Sequence, residues 1–193
     1  MSVNFNLRRV NDALLAALRQ DSSLTGPLCN LVLDFVPPLE TTEIRKQRML
    51  DERAELVLQL HNAGLRDEDF GKALHLGRAW WSLAQMIGSP ATDSVSLEAE
   101  GEAIGDDVGY GPARLLARQD VESIAAVLDA VTRNEAEARF REFESAELAR
   151  QPRLVVRCSD DEFTKWSWEP FCELRRFVRE TADENATILK WFD

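Results

Sequence analysis

Both ends of this 193-residue chain read as β-strands, and that constrains the fold more than anything between them. Near the start, Val3, Phe5 and Leu7 alternate with Asn4, Asn6 and Arg8, the period-two pattern of a half-buried strand. The last stretch, "ATILKWFD", alternates in the same way. A strand apolar on one face needs neighbours, so the two termini should meet in one sheet that closes one domain.

Helical spacing dominates between them. Asn11 can cap a helix with Leu14, Leu15 and Leu18 on its apolar face. "PLCNLVLDFVPPL" is apolar and fits either state until Pro37 and Pro38 end it. Thr42 opens a long charged helix carrying Leu56 and Leu60 and stopping near Gly64. "RDEDFGKA" is turn-like, and a helix from about Leu76 to Ile87 should close at Gly88. Val121, Ile124, Ala125, Leu128 and Val131 mark another helix, and Phe140 and Phe143 the next. "RLVVRC" is a candidate strand. Ser167 then begins a helix that tolerates Pro170 in its first turn and aligns Phe171, Leu174, Phe177 and Val178. The expected fold is α+β: a single, mostly helical domain over residues 1–193 with a small sheet formed by the terminal and C-terminal strands.

The stretch 89–111 is the one long irregular segment, and loops of this length within compact domains tend to be functional or mobile. It contains "GDDVGYGP", residues 105–112, which invites comparison with a phosphate cradle. The spacing G-x-x-x-G-x-G-P matches neither dinucleotide loop nor P-loop, and no lysine follows. Two aspartates would repel phosphate, and Pro112 removes a backbone donor. The glycines are better read as backbone geometry, with Gly109 and Gly111 in conformations other residues dislike and Pro112 fixing the exit into a helix.

Charge is concentrated there too. The net charge is −11, which argues against a nucleic-acid ligand because such proteins carry a basic footprint. Residues 79–113 hold Asp93, Glu98, Glu100, Glu102, Asp106 and Asp107 without one Lys or Arg. Such a run is either solvated surface or a field that draws in a basic partner.

Catalytic motifs are scarce. His61 near a helix end and His75 before a helix have no metal-ligand spacing, and no nucleophile elbow occurs. The carboxylate groups Asp106-Asp107 and Asp160-Asp161-Glu162 could hold a hard cation but also fit ordinary surface. No cofactor or metal is expected. Three scattered cysteines, Cys29, Cys158 and Cys172, offer no disulfide framework. With neither a signal peptide nor an apolar run of about 20 residues, a cytoplasmic location away from membranes is expected. Trp80 and Trp81 are adjacent on a helix and so face about 100° apart; one should be core and the other near a surface.

"LHLGRAWWSLAQMIG" and "GDDVGYGPARLLARQDVESIAAVL" together resemble the YfbM-like family of bacterial proteins of unknown function. The match falls on Arg78-Ala79-Trp80, Gly88, the run Gly109 to Arg114, and Val121, and covers about residues 74–193. Trp81 and Ala84 stand where family members often carry histidines, so chemistry tied to those histidines would be absent here. Ala117 replaces a usual capping Thr, leaving Asp120 and Glu122 to support the helix start. The resemblance implies a one-domain α+β fold and no reaction.

The functional expectation is protein binding, most concretely an immunity protein that occludes a bacterial toxin. Glu98, Glu100, Glu102, Asp106 and Asp107 would face the basic partner. The alternative is an enzyme or small-ligand binder with a cleft at Trp80, Tyr110 and Arg114, the arginine holding an anion and the tyrosine supplying a stacking face.

Overall fold

A computed structural model describes residues 4–31, 42–77, 79–87, 101–150 and 157–193. The fold is α+β. Its strands are β1 (Phe5–Val10), β2 (Ala73–Gly77), β3 (Glu102–Asp107), β4 (Pro112–Leu116) and β5 (Thr187–Phe192). They form one sheet ordered β2-β1-β5-β4-β3, so the two terminal strands meet in one sheet as expected and are neighbours at its centre. Thr187 reinforces the junction by donating its hydroxyl to the Val10 carbonyl at 3.2 Å. β4 pairs antiparallel with β5, setting Arg114 opposite Lys190 and Leu116 opposite Ile188. It also pairs antiparallel with β3, setting Glu102 opposite Leu115 and Ile104 opposite Ala113.

The helices are α1 (Asp12–Gln20), α2 (Thr25–Asn30), α3 (Glu43–Asn62), α4 (Trp80–Ile87), α5 (Arg118–Ala130), α6 (Arg133–Arg150), α7 (Asp160–Phe163) and α8 (Glu169–Asp183). Asn11 caps α1 as its position suggests, accepting the Leu14 N–H at 2.8 Å. Thr42 precedes α3 and Gly64 follows it. No helix among the described residues is long and apolar enough to cross a membrane.

Several expectations change. The helix anticipated from Leu76 begins instead at Trp80, because Leu76 belongs to β2 and its carbonyl accepts the Ala79 N–H in the turn that leads into the helix. Residues 102–107 and 112–116, expected as irregular chain and a turn feeding a helix, are paired strands. Ser167 does not start a helix. It sits buried in a π-helical turn, Thr164–Trp168, between α7 and α8. The helical start lies at Ser159, whose hydroxyl caps the Glu162 N–H at 3.3 Å while Glu162 returns a carboxylate to the Ser159 N–H at 2.8 Å. Most of "RLVVRC", together with Gly88 and residues 89–100, lies outside the described residues; its last two residues, Arg157 and Cys158, are not strand.

Two compact units are present. One comprises residues 6–74, 101–116 and 186–193. Its core joins Leu14 and Leu18 of α1, Leu28 and Cys29 of α2 and Leu60 of α3 to Ile104, Leu115, Leu189 and Trp191 of the sheet. Along β4 and β5 the positions that reach this core alternate, Ala113 with Leu115 and Leu189 with Trp191. The other unit comprises residues 1–5, 75–100 and 117–185. There α5 packs on α8, and the buried Val121, Ile124, Ala125 and Leu128 of one and Phe171, Leu174, Phe177 and Val178 of the other keep helical spacing. α4 lies on α6, whose Arg139 donates to the Met86 and Ile87 carbonyls and so satisfies the last turn of α4.

Candidate functional site

The glycine-rich stretch is the tip of the β3–β4 hairpin, and Asp107 organises it. One carboxylate oxygen of Asp107 accepts the N–H of Gly109 at 2.8 Å and of Gly111 at 2.9 Å. Below that pair, Val108 donates its N–H to the Gly111 carbonyl at 3.1 Å. Gly109 has φ +148° and Gly111 φ +99°, conformations that L-residues rarely adopt. A Cβ on Gly109 would stand 2.8 Å from the Phe192 carbonyl oxygen, whereas one on Gly111 would meet nothing within 4 Å. Tyr110 is tied to the same carbonyl through its N–H at 3.2 Å. The tip is thus fastened to the end of β5, and its backbone donors point inward. It offers no cradle for a phosphate.

What the hairpin presents outward is acidic and aromatic. Glu102 and Asp106 are exposed, and the Tyr110 side chain is 45% exposed. Asp107 is exposed as well, but its carboxylate is engaged in the turn. Of the five acids expected to face a partner, Glu98 and Glu100 lie outside the described residues. Glu102 and Asp106 share one hairpin, and Asp107 has a structural duty that sequence reasoning missed. The signal was there: Asp-x-Gly-x-Gly suits a side chain that accepts backbone N–H groups two and four residues on.

The residues of the expected cleft have different settings. Arg114 projects from β4 and donates to the Gly101 carbonyl at 3.1 Å. Tyr110 stands out from the turn and does not pack beneath it. Trp80, on α4, is half-buried, and its neighbour Trp81 is 54% exposed, with the two rings edge to face at 5.6 Å. Trp81 in turn meets Phe143 of α6 edge-on at 6.2 Å. The different burial of the adjacent tryptophans follows from their angular separation on the helix, but neither is core as expected: Trp80 is only half-buried.

Several of the titratable groups singled out in the sequence have local partners. His61 lies 2.8 Å from Asp67 and stacks on Phe70. Asp160 pairs with Arg141 at 2.7 Å, and Glu162 belongs to the cap at Ser159, which holds its carboxyl below the usual range. Among the described residues no group of three or more His, Cys, Asp or Glu side chains could hold a metal ion. Asp120 does support the start of α5 as expected, accepting the Ala117 N–H at 3.2 Å.

A family model described as "Domain of unknown function (DUF1877)" matches residues 1–191. No curated protein and no solved structure matches the chain.

Proposed function

Because the chain belongs to the DUF1877 family of domains of unknown function, we propose that it is a protein-binding module whose recognition surface is the β3–β4 hairpin. In its most concrete form it is an immunity protein that covers the active site of a basic toxin. The observation that carries the reading is the hairpin itself: Glu102, Asp106 and Tyr110 are displayed on a backbone already fixed by Asp107 and the end of β5. A fixed loop loses little conformational freedom on binding. Carboxylates of one sign steer a basic partner into encounter, and an aromatic ring can fill its pocket. Within the family we place the chain with the YfbM-like proteins, on the run Gly109 to Arg114. The three free thiols suit a reducing, cytoplasmic setting. The ligand-cleft alternative draws less support, since the Arg114 guanidinium already serves the Gly101 carbonyl.

The test is association kinetics with the product of the neighbouring gene, measured at low and high salt. Replacing Glu102 and Asp106 by Lys should slow association about tenfold at low salt, converge with the parent at high salt, and leave the melting temperature nearly unchanged. An unaltered on-rate at low salt would show these acids to be solvated surface and would remove the hairpin as the recognition element.

A further inference from the structure

We draw no further inference here: the strongest candidate, the open surface cavity of about 470 Å³ lined by His61, Leu65, Arg66, Asp67 and Glu68 at the C-terminal end of α3, carries nothing because its charged groups already pair with one another, His61 with Asp67 and Arg66 with Glu68 and Asp69, and no side chain there is aimed at a ligand of definable chemistry.

Discussion

Arg8 and Arg141 each tie distant segments together, one in each unit, by opposite means. Arg8 on β1 is fully buried and, among the described residues, donates to backbone carbonyls: Phe70 at 2.9 Å, Gly71 at 3.2 Å, and Leu31 at the end of α2. Burial lowers its pKa to about 10, although the nearby Cys29 thiol pulls the other way. Arg141 on α6 keeps partial contact with solvent among three carboxylates, Glu137, Glu144 and Asp160. Burial alone would lower its pKa, but the hydrogen bond to Glu144 and the charges of Glu144, Asp160 and Glu137 outweigh that and raise it. Arg141 and Glu144 also clamp the Cys158 backbone from both sides. The guanidinium donates to its carbonyl at 2.5 Å, and the carboxylate accepts its N–H at 2.5 Å. A buried cation can therefore be kept by carbonyl dipoles in place of ions, but then every carbonyl depends on it.

That dependence sets the largest expected effect. Arg8→Ala should destabilise by on the order of 3–5 kcal/mol, because it opens a cavity and strands three carbonyls. Urea unfolding measures it, and a loss below about 1 kcal/mol would mean that the carbonyls find other donors and that the contrast with Arg141 is empty. Glu144→Ala should cost about 2–3 kcal/mol, since it frees the Cys158 N–H and unbalances a guanidinium. Arg141→Lys should cost less, because an ammonium can still reach one carboxylate although the forked contact is lost. If Arg141→Lys proves the worse of the two, the fork and not the buried carboxylate holds the clamp.

The hairpin tip gives a finer discrimination. Gly109→Val should destabilise by about 1–3 kcal/mol and more than Gly111→Val, because only Gly109 faces the Phe192 carbonyl as well as an unfavourable φ. Equal melting temperatures for the two variants would place the whole cost in the backbone conformation. The smallest effect concerns Cys29, whose thiol burial pushes up to about 12, with Arg8 opposing and Asp193 adding to the rise. In the folded chain this thiol keeps its proton where the unfolded chain would lose it. The stability it contributes is complete below pH 9.0 and is lost as pH climbs from there towards 12. Between pH 9 and 10 the parent should therefore lose about 1 kcal/mol more than Cys29→Ala does. Parallel pH profiles would place the thiol in contact with solvent.

The elements that sequence alone revealed are those whose own residues decide them. Asn11 caps α1, Thr42 and Gly64 bracket α3, and the apolar repeats of α5 and α8 are complete within each helix. β1 and β5 are legible as strands, but neither is half-buried as its alternation suggests: both faces are covered, so Asn6, Arg8 and Lys190 are buried as well. β3 was hidden: Ile104 is its sole buried residue, and its remaining positions are small or acidic, so no period shows. Its pairing is decided by β4, which the proline and arginine at Pro112 and Arg114 disguised. At the site, the exposure of Glu102 and Asp106 followed from charge, whereas the duty of Asp107 depends on a turn that exists once both strands are in place. In the sequence Arg8 is merely the polar half of an alternation; its carbonyl partners lie 23 to 63 residues away, beyond any local pattern.

β3 is the last strand in the sheet order, and it carries an irregularity between Ile104 and Asp107. An outermost strand is where a second copy could add itself and begin an aggregate. Here the regular pairing with β4 runs only from Glu102 to Ile104 before the register shifts. Two such strands brought together antiparallel would also set Glu102 and Asp106 of one chain against those of the other, with like charges opposed across the new ladder. Brevity, a bulge and outward carboxylates are three separate deterrents on one strand. Among the described residues, then, the sheet offers a poor template for growth on this side.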